Sequence, residues 1–199
     1  MQGHKRRIGA ALRILCLEAH TLGKFQVVVE TITDPDDHGL EMKIDEFSPI
    51  KEACWRALLI GLAGMLSTDQ ESITLNYLLD LADNHPHDFD NVEPEALKHL
   101  VARGRGELKA IGDLENRLRS LRDRRLAHLD RKQVNEPDGI GLGNIDVEEL
   151  ALGLAVVEEV LERLAGAFGL KCGSLKHSKA NYRISLSQAL TRVGTSGEL

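Results

Sequence analysis

The chain has 199 residues, a formal net charge of -6, 42% hydrophobic and 28% charged residues. That length and balance fit one ordinary domain with a core that needs no disulfide or structural metal, and they exclude global disorder. Aromatics are only 4%, which favours an aliphatic helical core over a sheet sandwich, and the acidity excludes a surface that coats nucleic acid everywhere while leaving room for a local basic site.

The first segment runs from about Lys5 to Thr33, with Ile8, Leu12, Leu15, Ala19 and Leu22 at helical spacing and Phe25, Val28, Val29 and Ile32 continuing the stripe. Thr33-Asp34-Pro35-Asp36-Asp37 stops it. Ser48-Pro49 is a start signal, with Ser as N-cap and Pro at the first helical position. From there to about Ala82 the chain is apolar on more than one face, as a central helix would be. Thr68 with Glu71 marks a candidate internal break. Glu93-Pro94 opens a third helical stretch, which Gly104, Gly106 and Gly112 weaken. Its leucine seam runs through Ile111, Leu114, Leu118, Leu121, Leu126 and Leu129, and Arg131 to Asn144 reads as a loop. Asp146 and Glu149 form the next N-terminal signature, and the stripe from Leu150 to Phe168 ends at Gly169, a C-cap. No period-two strand stands out. The expectation is an all-α bundle of four main helices over 1–173, with 174–199 a weakly structured extension or a segment that docks on a partner.

Several chemistries have little support. Cys16, Cys54 and Cys172 lie far apart, so they read as buried free thiols rather than a zinc or dithiol site. His85-Pro86-His87 with Asp88 and Asp90 has poor spacing for a preformed metal site, so no metal or other cofactor is expected. Gly141-Leu142-Gly143 follows no strand and is too short for a phosphate loop. Trp55 and Tyr77, on the central helix, read as core residues rather than base-stacking platforms. No run approaches the roughly 20 apolar residues of a membrane span. Arg13 and Glu18 spoil the early apolar stretch as a secretory signal, so a cytoplasmic location is expected.

The sign of charge inverts between Arg117 and Lys132. Arg117, Arg119, Arg122, Arg124, Arg125, Arg131 and Lys132 face only Asp123 and Asp130. Arg supplies a permanent planar cation that grips phosphate oxygens, and His128 supplies a proton that moves near neutral pH. RNA phosphodiester cleavage needs both: a base for the 2′-OH proton and a cation for charge on the phosphorus oxygens. Surrounding arginines disfavour protonation of His128 and suit it to the role of base. Six residues place Arg122 and His128 roughly 120° apart on a helix and about 9 Å along it. One continuous helix therefore does not join them. Either the helix ends near His128, or a second copy completes the site across a two-fold axis. Arg124 and His128, four apart, are the alternative pairing on one face.

The run from Arg122 through Asp123 to Ala127 and His128 resembles the signature of the HEPN superfamily, an Arg followed by a polar residue and, four to six positions on, a His. Glu71 to Asp80 is similar to the central helix of its abortive-infection, AbiU-like branch. Leu126 to Asp130, a loop, and then Ile145 to Leu150 resemble the same branch, so the similarity covers about 45–170. The resemblance implies a four- to five-helix HEPN-like bundle that forms a homodimer with facing motifs. It implies a metal-independent endoribonuclease acting as a toxin or antiviral effector, with RNA as its substrate and an antitoxin such as a nucleotidyltransferase as a partner. By that carry-over Arg122 contacts the scissile phosphate, Asp123 orients the pair and His128 transfers the proton. Arg119, Arg124, Arg125, Arg131 and Lys132 then hold RNA. Two positions depart from the pattern: Asp123 stands where Asn is frequent, and Asp130 stands where some HEPN toxins carry the Tyr that their partner modifies. Two rival readings are a non-catalytic HEPN-like dimer that binds RNA or protein, and a purely structural helical protein. The structural reading would gain if the basic cluster were spent on intramolecular salt bridges.

Overall fold

The computed structural model describes residues 2–33, 44–69, 71–121, 145–171 and 175–195. The described residues form seven α-helices: α1 (Gln2–Thr33), α2 (Ile44–Leu66), α3 (Leu75–Asn84), α4 (Pro94–Ala110), α5 (Gly112–Leu121), α6 (Val147–Phe168) and α7 (Leu175–Thr195), with a 3-10 turn at Pro86–Asp88. No strand occurs among them, and none of these helices is long and apolar enough to cross a membrane. The expected all-α bundle is the observed architecture.

Helix α1 is the spine. Its stripe Ile8, Leu12, Leu15, Ala19 and Leu22 is buried and packs most extensively on α2, then on α6, α7 and α3. Two sites of close approach set this packing. A Cβ at Gly61 would lie 2.5 Å from Leu22 Cδ2, so any larger residue there would have to displace the Leu22 side chain for α2 to come this near to α1. Gly153 of α6 does the same for Leu114 of α5, whose Cδ2 would be 2.6 Å from a Cβ there. Trp55 is buried, and Tyr77 packs against the core. Cys16 and Cys54 are half-buried rather than buried, and burial pushes the Cys54 thiol up. Cys172 lies outside the described residues.

The elements depart from the sequence reading in four places. Helix α2 starts at Ile44, a turn before the Ser48-Pro49 signal, and carries Pro49 inside it. Packing of Trp55, Leu58 and Leu62 outweighs the one backbone hydrogen bond that Pro forfeits. The expected break beyond Leu66 is real, but the cap is Thr74, whose Oγ1 accepts from the Tyr77 N–H. Ser67 and Asp69 instead take the N–H groups of Asp69 and Glu71 and shape the connection. The third helical stretch is two helices, hinged at Ile111 before Gly112. Finally, residues 175–195 are not weakly structured: they form α7, docked on α1. The seam positions Leu126 and Leu129, the loop from 131 to 144 and its Gly141 and Gly143 lie outside the described residues.

Candidate functional site

Helices α5 and α6 flank the stretch of chain that carries the basic cluster. Acidic residues Asp113 and Glu115 occupy the first turn of α5 and basic Arg119 its last, each matched to the helix dipole. Leu114 and Leu118 point inward. Helix α6 opens with a reciprocal capping box: Asp146 Oδ1 accepts from the Glu149 N–H at 2.7 Å, and Glu149 Oε2 accepts from the Asp146 N–H at 3.4 Å. Ile145, just before the cap, is buried.

A fork joins the two helix ends. Arg117 donates from Nη1 to Glu149 Oε2 at 3.0 Å and from Nη2 to Oε1 at 2.5 Å. This bidentate geometry is the strong form of an Arg–carboxylate pair. The hydrogen bonds from Arg117, opposed by burial and aided by the Asp146 N–H, hold the Glu149 carboxyl below its ordinary range. The same bonds to Glu149 push the Arg117 guanidinium up. Arg119 bonds the Glu115 carboxylate one turn back, and its Nη2 lies 3.3 Å from Thr68 Oγ1. Two of the seven cluster cations are thus engaged within the chain, as the structural reading expected of all of them. Both remain about 40% exposed, where such pairs contribute roughly 0–1 kcal/mol.

Of the predicted site residues, Arg119 is the one the structure describes. Arg122, Asp123, His128, Arg124, Arg125, Arg131 and Lys132 lie outside the described residues. The structure ties the helices on either side of the stretch that holds them, α5 and α6, through the fork between Arg117 and Glu149.

Two cavities adjoin this region. One, of about 300 Å³, lies at the junction of α2, α3, α4 and α5 and is lined by Thr68, Asn76, Arg105, Lys109 and Glu115. Arg105 there is held by Asp80 at 2.8 Å and Asp83 at 2.9 Å. The other, of about 440 Å³, lies between the end of α1, the start of α2 and the start of α6, with Trp55 and Lys51 beside Ile145 and Asp146. Sequence reasoning found neither, because both are made by residues far apart in the chain. The histidine run has a packing role instead: His85 stacks on His4 of α1 with ring centroids 3.9 Å apart, and Asp90 pairs with Lys5 at 2.5 Å. Among the described residues no three His, Cys, Asp or Glu side chains gather in a metal-binding group.

A family model described as AbiU2, of the HEPN type, matches residues 39–181. No curated protein and no solved structure matches the chain. The matched span holds α2 to α6, the start of α7 and the sequence positions of Arg122, Asp123 and His128.

Proposed function

The chain belongs to the AbiU2 family of HEPN proteins, and on that premise we propose that it is a metal-independent endoribonuclease, a toxin or antiviral-defence effector. The observation that carries this reading is that the family span includes an intact Arg122 and His128 in a locally basic stretch. Arg117 and Arg119 pair within the chain. Arg119, Arg124, Arg125, Arg131 and Lys132 are the cations assigned to the RNA backbone, in a stretch whose opposing carboxylates are Asp123 and Asp130.

In the proposed reaction His128 takes the 2′-OH proton and the 2′-oxygen attacks phosphorus. Arg122 stabilises the charge that builds on the phosphorus oxygens, and Asp123 orients the pair. The bond from phosphorus to the 5′-oxygen breaks as the proton that His128 took is returned to that oxygen, leaving a 2′,3′-cyclic phosphate on one product and a 5′-hydroxyl on the other. The ribose supplies the nucleophile, so no metal-activated water is required. Two copies of the motif across a two-fold axis would complete the site, so a homodimer is part of the proposal, and an antitoxin, such as a nucleotidyltransferase, is its proposed cellular partner.

The test is RNA cleavage in EDTA. Arg122→Ala and His128→Ala should each lower the rate ~10²-fold or more. Lys132→Ala should weaken binding modestly and flatten its salt dependence. DNA should remain uncut, and light scattering should show a dimer. An absolute need for a divalent metal, or a His128→Ala protein as fast as wild type, would replace this reading with a non-cleaving RNA- or protein-binding dimer.

A further inference from the structure

We propose that the cavity at the junction of α2, α3, α4 and α5 is a base-reading subsite for single-stranded RNA, in which the Asn76 amide takes the edge of an unpaired adenine and Lys109 the adjoining phosphate. The inference rests on the reading of RNA as the substrate, and adds to it residues that lie outside the Arg122 and His128 motif.

The cavity, of about 300 Å³, has the size of a small ligand site. Buried Leu66 and Leu108 give it an apolar floor. Asn76 stands half-buried at its wall with its hydrogen-bonding capacity almost unspent. Its Nδ2 reaches the Leu66 and Ser67 carbonyls only at 3.4 and 3.5 Å, longer than ordinary hydrogen bonds, and its Oδ1 accepts from no donor among the described residues. An amide with donor and acceptor side by side matches adenine, whose N7 accepts and whose N6 amino group donates. Arg105 has both Nη groups engaged, on Asp83 and Asp80. That fixes the guanidinium plane, and such a plane is a surface on which an unpaired base stacks. Asp80 and Asp83 lie outside the lining, whose charged members are Arg105, Lys109 and Glu115. Glu115 is spent on Arg119. Lys109, exposed and without a carboxylate partner among the described residues, is the cation left for a phosphate. Arg119 points to RNA as the ligand, because it belongs to the basic run and its Nη2 meets Thr68 of the lining at 3.3 Å. The described end of that run therefore abuts the cavity wall.

Binding is measured on the full chain by fluorescence anisotropy with labelled 2′-O-methyl oligonucleotides of adenine, uracil or cytosine, which 2′-OH attack cannot cut. Oligo-A should bind about fivefold or more tighter than the other two, as a bidentate amide–adenine pair discriminates, and Asn76→Ala should level the three. Lys109→Gln should weaken all three by a common factor and lower the salt slope by about 0.7. Lys98→Gln, about three turns away on the same helix, should change neither. A Cβ at Gly112, on the cavity rim, meets nothing within 4 Å. Gly112→Phe should therefore keep the wild-type melt while plugging the cavity, with a loss of about tenfold in oligo-A affinity. Equal affinity of the wild type for the three oligonucleotides would overturn the proposal, as would an oligo-A preference that survives Asn76→Ala or a folded Gly112→Phe protein that binds as wild type. An equal loss from Lys98→Gln would reduce the binding to diffuse surface charge, and free AMP binding as tightly as oligo-A would make the cavity a small-molecule site; either result ends the subsite reading. Cleavage of unmodified RNA in EDTA is followed separately. If the wild-type protein cuts none, the nuclease reading falls, while the adenine preference still decides the subsite.

Discussion

Glu158 of α6 is a carboxylate inside the bundle, its side chain 3% exposed, with the Lys179 ammonium of α7 2.7 Å away. Lys179 also donates to Gln26 of α1 at 3.0 Å. Gly23 clears its path, since a Cβ there would lie 2.8 Å from Lys179 Cε. Removing one partner of a buried pair leaves a desolvated charge, at a cost of up to about 3–5 kcal/mol. Lys179→Ala should therefore destabilise the protein by about 3 kcal/mol in urea unfolding, while a Glu158→Gln, Lys179→Met double variant should recover most of that loss. Equal losses in the single and double variants would show that the two charges are uncoupled. A second residue-scale expectation concerns pH. His20 faces Ser178 at 3.1 Å, and burial, then the nearby Lys24, hold its imidazole below the ordinary value. As pH falls through about 6.5 the unfolded chain takes the proton first, so stability declines from there downward. Glu107, held low chiefly by its hydrogen bond from Arg163, and Glu149, held low by Arg117, act later. Their contribution is full above the ordinary carboxylate range and is lost as pH falls through their lowered values. Urea midpoints measured from about pH 8 to 5 should show the first decline, and His20→Gln should remove it.

At the scale of elements, glycines separate close packing from open helix surface. Gly153→Ala drives a methyl into Leu114 and, at 3.2 Å, into Leu62, and should cost about 1–3 kcal/mol by overpacking. Gly64, inside α2, has nothing within 4 Å of the added atom, so Gly64→Ala should stabilise by about 0.5–1 kcal/mol. A thermal melt of both variants checks the signs. The same contrast explains which elements could be read from the sequence. Helices α1 and α6 announce themselves by strong apolar stripes, and α6 carries both its signals locally: the Asp146 and Glu149 box and Gly169 in the left-handed conformation at φ 84°. Helix α7 has no such stripe. Its anchors are Lys179 on Glu158, Arg183 on Glu30 and Ser178 on His20, and the Arg183 and Ser178 partners lie more than 150 positions away in sequence. A helix held by distant ion pairs leaves little periodicity to find. The candidate site divides in the same way. The Arg and His types of the motif are visible in a run of seven letters, whereas the partner of Arg117 depends on a helix that begins 30 residues later.

For the whole molecule, the boundary of the family match and the boundary of the stable fold differ. The match begins at 39, beyond the end of α1 at Thr33. Yet α1 supplies Ile8, Leu12, Leu15 and Leu22, all between 0 and 2% exposed, and it touches α2, α3, α6 and α7. Burial of a side chain of that size contributes roughly 1.5–3 kcal/mol, so these four alone supply roughly 6–12 kcal/mol. That gross term is of the same size as the net stability of an ordinary domain, roughly 5–15 kcal/mol. A fragment of residues 39–181 would also lose Gln26 from Lys179 and Leu22 from its seat at Gly61, and would expose the buried face of α2 around Leu58 and Leu62. Such a fragment should therefore not fold cooperatively. Its circular dichroism should show reduced helix without a sharp melt, and an apolar dye should bind it where it ignores the full chain. Adding a separate peptide of residues 1–38 should restore part of the helical signal, because the α2 and α6 surfaces that receive α1 remain in the fragment. A fragment that melts as sharply as the full chain would mean that α1 is an appendage to the family domain rather than its spine.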